Sequence, residues 1–254
     1  MTESSKLSYI DTGKGNKTLL LIHGFCGSLE YWNDIVSKLK EEYRIVAVDL
    51  RGHGESEPID ASFSIEDMAN DVASVLEELE INQVYMFGHS LGGYITLAFA
   101  DRFPGKLSGF SLVHSTAFPD DEAGKEGRLK SIETIEAKGV PDFIDGLLPK
   151  LFAHSDDTRI EPMKQIGYKT SESGAIGSLH AMRSRVDRNH VLKTTKLPVL
   201  LIAGEHDKVI PAEKTFSVKG NHIQEITLEG CGHMSMQESP RRLVEEIRRF
   251  VDTN

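Results

Sequence analysis

Four short segments of this chain carry the residue types of acyl transfer. Gly88-His89-Ser90-Leu91-Gly92-Gly93 sets a serine in a G-x-S-x-G pattern between an apolar run and a helical stretch. A serine on so sharp a turn stands clear of the backbone, and a Cβ at either flanking glycine would collide with strand or helix. The pattern alone is weak, because glycine and serine are both common here; its strand-turn-helix setting carries the weight. Serine is a poor nucleophile until a general base, oriented by a third group, takes its proton. Two later segments fit those roles: Asp207 in Gly204-Glu205-His206-Asp207, just beyond an apolar run, and His233 in Gly230-Cys231-Gly232-His233, just beyond the next one. Glu205 and His206 neighbour Asp207 and compete for its role; position after the run favours Asp207. The developing oxyanion needs two donors. The Leu91 N–H at the start of the helix is one, and the Gly-rich turn His23-Gly24-Phe25-Cys26-Gly27 offers the Phe25 N–H as the other.

Those residues need a scaffold. Apolar runs over 18–23, 44–49, 84–88, 110–114, 199–204 and 225–228 lack strict polar alternation, as expected of buried parallel strands covered on both faces. Helices belong between them. One follows Ser64, with Ile65, Met68, Ala69, Val72, Val75, Leu76 and Leu79 on one face and Ser64 with Asp67 as its capping pair. Another closes the chain, with Ser239 at the N-cap, Pro240 first in the helix and a stripe of Leu243, Val244, Ile247, Phe250 and Val251. The alternation stops over 115–195, where 120–137 and 173–183 have helical character. A structureless loop of that length is uncommon in a compact domain, so the segment is expected to fold as a small helical lid inserted into a core of 1–114 and 196–254.

Composition narrows the field. With 254 residues, 39% hydrophobic and 27% charged, the chain suits one sizeable core. A net charge of −10 repels phosphate backbones and anionic lipid, so neither nucleic acid nor a membrane surface is an expected partner. No apolar run approaches the roughly 18 residues of a membrane span, and the N-terminus has no signal-like apolar region, which makes a cytoplasmic address the expectation. Cys26 and Cys231 are too few for a disulfide scaffold. His53, His154, His180, His190 and His222 have no partner at metal-ligand spacing, and no metal or cofactor is expected. His23, His89 and His114, at strand ends, read as satisfied structural histidines.

Taken together, these segments resemble the α/β-hydrolase superfamily, in particular its small lid-bearing serine esterases, over nearly the whole chain. His23-Gly24-Phe25 looks like the oxyanion loop, Asp49-Leu50-Arg51-Gly52-His53-Gly54-Glu55-Ser56 like the turn after the following strand, and Gly88 to Gly93 like the nucleophile elbow; the acid and base loops fall at Gly204 to Pro211 and Gly230 to His233. The resemblance implies a mostly parallel, doubly wound sheet and a serine hydrolase of Ser90, Asp207 and His233 acting on a small ester-like substrate without cofactor. Serine at the elbow argues against the dehalogenase and epoxide hydrolase relatives, which use aspartate there. Lactonase, perhydrolase and carbon–carbon bond hydrolase chemistry share the triad, and a slow-turnover ligand receptor is a reading of a different class. The lid must discriminate among them. Phe118, Phe143 and Phe152, with Met163, Tyr168 and Met182, are candidates to line an acyl pocket, although residues at helical spacing are more often plain core. Arg183, Arg185 and Arg188 fit a solvated helix end, with a substrate carboxylate as the alternative.

Overall fold

The computed structural model describes residues 5–58 and 62–254, so part of the N-terminal stretch read above, residues 1–4, lies outside it. The described residues form one seven-stranded sheet: β1 (Tyr9–Asp11), β2 (Thr18–Ile22), β3 (Arg44–Val48), β4 (Val84–His89), β5 (Leu107–Val113), β6 (Val199–Gly204) and β7 (Ile223–Leu228). Their order is β1-β3-β2-β4-β5-β6-β7; β1 runs antiparallel to β3 and every other pair is parallel. β4 and β6 are buried along their whole length, as expected for strands covered on both faces. β7 departs from that expectation, because at the sheet edge it is only partly buried.

Among the described residues ten α-helices accompany the strands: α1 (Asn33–Leu39), α2 (Ile65–Glu78), α3 (Leu91–Arg102), α4 (Glu122–Leu151), α5 (Ile160–Gly167), α6 (Glu172–Ser184), α7 (Asn189–Thr194), α8 (Ala212–Thr215), α9 (Ser235–Glu238) and α10 (Pro240–Thr253). None of the described helices is long and apolar enough to cross a membrane. α2 starts as its sequence dictates: Ser64 Oγ accepts the Asp67 N–H at 3.1 Å while Asp67 Oδ2 accepts the Ser64 N–H at 2.9 Å. Ile65, Met68, Ala69, Val72, Val75 and Leu76 are buried on one face, worth about 1.5–3 kcal/mol for each large side chain. In α10 the stripe from Leu243 to Val251 is buried likewise, but Ser239, at the N-cap, makes no side-chain capping bond. α3 packs on β4 and β5 and is buried around most of its circumference from Leu91 to Ala100.

Between β5 and β6 the chain is wholly helical in its regular structure, α4 to α7. α4 is broken at Gly139, where φ of +84° departs from helical geometry just before Pro141. α4 packs against α5 and α6.

Candidate active site

At the end of β4 the backbone turns sharply through Ser90, with φ of +51° and ψ of −112°, and enters α3 one residue later. Such a conformation costs a non-glycine residue about 1–3 kcal/mol and persists only where its surroundings hold it. Here the Ser90 N–H donates to the Val113 carbonyl at 2.9 Å, and the Ser90 carbonyl accepts from Ser115 Oγ at 2.7 Å and the Gly93 N–H at 2.9 Å. The two flanking glycines are sterically required. A Cβ on Gly88 would lie 2.2 Å from the Gly92 carbonyl oxygen, and one on Gly92 would lie 2.6 Å from that of Ile22. Cys26 and His114, at +53° and +50°, are also left-handed, and both stand beyond the carboxyl ends of strands beside β4.

Asp207 and His233 lie on the loops that leave β6 and β7, at the same edge of the sheet. Asp207 is buried, and its Oδ1 accepts the Val209 and Ile210 N–H groups at 2.8 and 2.9 Å. Its Oδ2 accepts from His233 Nδ1 at 2.7 Å and from His114 Nδ1 at 3.2 Å. Burial alone would raise the Asp207 carboxyl, but the facing imidazoles of His233 and His114 hold it well below the usual carboxylate range. An ionised carboxylate only accepts hydrogen bonds, so the His233 proton sits on Nδ1 and its basic nitrogen is Nε2. The His233 backbone is equally constrained. Its N–H donates to the Leu151 carbonyl at 2.7 Å, and its carbonyl accepts from His89 Nε2 at 2.8 Å. Glu238 Oε2 accepts the N–H groups of Gly232 and Met234, both at 3.0 Å, while Oε1 takes that of Ala153 at 2.7 Å.

Ser90 and His233 line one cavity of about 250 Å³, together with Phe25, Tyr94, Phe118 and Arg185. The Phe25 and Leu91 N–H groups have no partner among the described residues, which leaves both free to donate. Phe118 is the only one of the three proposed acyl-pocket phenylalanines on this cavity. Phe143 packs edge-on against Phe25 at 5.9 Å and lines a neighbouring groove. Phe152 is 1% exposed, lines neither, and belongs to the core, where a fully buried aromatic has no face left for a substrate. Glu205 is exposed and accepts the Gly230 N–H at 2.8 Å, away from His233. The three arginines do not form a solvated helix end. Arg185 and Arg188 are buried and only Arg183 is half-exposed.

The histidines at strand ends divide. His23 is satisfied on both ring nitrogens, donating to the Gly24 carbonyl at 2.7 Å and accepting the Leu50 N–H at 2.9 Å. His89 and His114 are not, since His89 Nδ1 and His114 Nε2 are buried without a hydrogen-bond partner among the described residues. Burial pushes both imidazoles below their ordinary range, so they stand as neutral rings around His233. The ligand atoms of His114, Asp207 and His233 lie within 4.8 Å of one another, but a metal there would have to displace both hydrogen bonds to Asp207. Sequence reasoning takes His114 for a satisfied structural histidine and passes over Glu238, because neither carries a local motif that would mark its bond to Asp207 or to the His233 loop.

Comparison with known proteins agrees with this fold. A family model described as the alpha/beta hydrolase fold matches residues 17–156. A thermophilic esterase from Thermogutta terrifontis is similar in structure, with a TM-score of 0.92 at 28% identity, covering 97% of this chain and 93% of that one. An uncharacterized protein of Mycobacterium tuberculosis is 27% identical over 261 residues, 92% of this chain and 75% of its own length. A 3-oxoadipate enol-lactonase of Acinetobacter baylyi is 25% identical over 224 residues, 87% and 83% of the two chains.

Proposed function

The chain belongs to the alpha/beta hydrolase fold family, and on that premise we propose that it cleaves a carboxylic ester or lactone through an acyl-enzyme on Ser90. Hydrolase function in the broad sense is supported by the family match and by the likeness to the Thermogutta esterase. The observation that carries the finer reading is the 2.7 Å bond from His233 Nδ1 to Asp207, made by the histidine that shares a cavity with the strained Ser90. It leaves a basic nitrogen, Nε2, on a residue that lines the same cavity as that hydroxyl.

In this mechanism His233 Nε2 takes the Ser90 proton as Oγ bonds to the substrate carbonyl carbon. The carbonyl oxygen becomes an oxyanion, held by the Phe25 and Leu91 N–H groups. Collapse breaks the bond to the leaving oxygen, which takes its proton from the His233 imidazolium. A water deprotonated by His233 then attacks the acyl carbon and releases the acid and a regenerated Ser90. Asp207 stabilises the imidazolium in both halves. This chemistry calls on no cofactor. In this reading the 115–195 segment acts as the lid, since Gly124, Arg128, Leu147, Leu151 and Met182, from its helices α4 and α6, line the cavity that holds Ser90.

The lactone branch is kept because one similar protein is an enol-lactonase. A panel of nitrophenyl esters of increasing acyl length, with simple lactones, tests the reading. Steady-state turnover lost in Ser90→Ala supports it, whereas a single burst followed by arrest would point to a slow-turnover receptor and contradict it.

A further inference from the structure

The cavity that holds Ser90 has a cationic wall that hydrolysis of a neutral ester does not require. Arg128, Arg185 and Lys214 line it together with Asp120 and Asp121. The Arg185 side chain is 5% exposed, and its guanidinium carbon lies 4.0 Å from the centroid of the Tyr94 ring. Tyr94 follows Ser90 by one turn of α3, a rise of about 5.4 Å. The guanidinium therefore lines the same cavity as Ser90, over a ring that also lines it.

The ion pairing around this arginine leaves positive charge uncompensated. Arg185 Nε donates to the Phe118 carbonyl at 3.2 Å and Nη1 to the Met182 carbonyl at 2.9 Å, with Nη1 also 2.8 Å from Asp120 Oδ1. Its Nη2 has no hydrogen-bond partner among the described residues. Asp120 does not belong to Arg185 alone, since its Oδ2 accepts from Arg128 Nε at 3.1 Å. Asp121 Oδ1 is committed to the Gly124 N–H at the start of α4. Lys214 forms no ion pair with a described carboxylate, and its carbonyl serves Thr116 instead. Three cations thus face two carboxylates, one of them shared and one occupied, in a chain whose net charge is −10.

Burying a guanidinium is costly, and apolar side chains of similar size would join α6 to the 118–120 turn at least as well. We propose that the substrate carries a carboxylate besides its scissile ester or lactone bond, and that Arg185, assisted by Arg128, receives it. The unused Nη2 N–H groups of Arg185 can donate to a carboxylate oxygen, and Arg128, which shares Asp120 with it, adds a second cation. The inference rests on the serine hydrolase reading and narrows it to half-esters of dicarboxylic acids and lactones that bear an acid group. Arg185 then acts as a specificity determinant, and Tyr94 positions it.

The test compares kcat/KM for nitrophenyl hemiglutarate with that for nitrophenyl valerate, which has the same acyl length and a methyl group in place of the carboxylate; hemisuccinate and butyrate form a shorter pair. Wild type is expected to prefer the anionic member of at least one pair by about tenfold or more, the scale of one charge-assisted contact. In Arg185→Gln that ratio should fall toward one, and Arg185→Lys should restore part of it. Arg128→Gln, at a less buried site, should lower the ratio in the same direction and serves if Arg185→Gln does not fold. Wild-type ratios at or below one, or ratios that survive in both glutamine variants, would overturn the inference while turnover of valerate upheld the hydrolase. Failure of wild type to turn over either member, with no covalent labelling of Ser90, would overturn both.

Discussion

Lowering the pH from 7 to 5 should destabilise this fold by about 2–4 kcal/mol through two histidines that take no part in the chemistry. His23 is wholly buried, and its two ring bonds require the neutral form, because Nε2 accepts the Leu50 N–H. A proton on Nε2 would set two donors face to face. Burial accordingly pushes His23 down to about 4, against the opposing pull of the Gly24 carbonyl. Burial, with the nearby His23 ring, pushes His53 down to about 3. In the unfolded chain both titrate near 6.5. Between the folded and unfolded values the unfolded chain binds more protons, so stability is greatest above 6.5 and declines as acid is added. At pH 5 the unfolded imidazole has gained roughly 1.5 pH units' worth of proton binding and the folded one almost none, which is about 2 kcal/mol per histidine. The two rings lie 5.3 Å apart and interact, so the joint effect falls between one such increment and two. That is a large share of the roughly 5–15 kcal/mol typical of a domain. His89 and His114, also pushed down by burial, act in the same direction. Asp207 acts in another window: its depressed carboxyl stabilises the fold at neutral pH and loses that contribution only below about 4. Urea midpoints followed by far-UV circular dichroism at half-unit steps from pH 7 to 5 measure the effect. Midpoints that stay level across that interval, with a constant m-value, would show that these imidazoles are not held neutral by the fold.

Three substitutions probe the machinery around His233. Asp207→Asn should lower kcat by about 10⁴, as in triad proteases, while Glu205→Gln, whose carboxylate is exposed and faces Gly230, should stay within about tenfold; the reverse order on one activated ester would reassign the acid. Glu238→Gln removes an acceptor from the N–H groups of Gly232, Met234 or Ala153, so the melting curve should report a loss of about 1 kcal/mol, with kcat reduced more than KM is raised. An unchanged kcat would show that the base loop holds itself. Cys26→Ser and Cys231→Ser should keep most of kcat, because burial raises both thiols above their ordinary range and neither touches the Ser90 hydroxyl; a loss comparable to that of Ser90→Ala would refute this.

The sheet was legible because β2, β3, β4 and β6 are apolar runs of ordinary strand length with helices or turns between them, and the elbow because its glycines are fixed by collisions the motif already implies. β1 was missed. Its three residues, Tyr9–Asp11, are only partly buried and are held as a strand by pairing with β3, which local patterning does not register. Asp207 is singled out by its place after a strand, whereas nothing local points to His114, which shares Asp207 across 93 residues, or to Glu238, which holds the His233 loop from a helix of its own. Such roles come from long-range proximity. The same limit governed the aromatic residues: nothing local separates Phe118, on the cavity wall, from Phe152, in the core. Arg185 sits in a polar stretch that reads as a solvated helix end, and only the approach of Tyr94 and Asp120 turns it into part of the cavity.

Ser90 as nucleophile is tested most directly by treating wild type and Ser90→Ala with a fluorophosphonate and locating the adduct by intact mass and peptide mapping. The account predicts one phosphonylated site on the wild-type peptide carrying Ser90, loss of esterase turnover in step with labelling, and neither label nor turnover in a normally folded Ser90→Ala protein. A label on another serine, or equal labelling and turnover in Ser90→Ala, would contradict it.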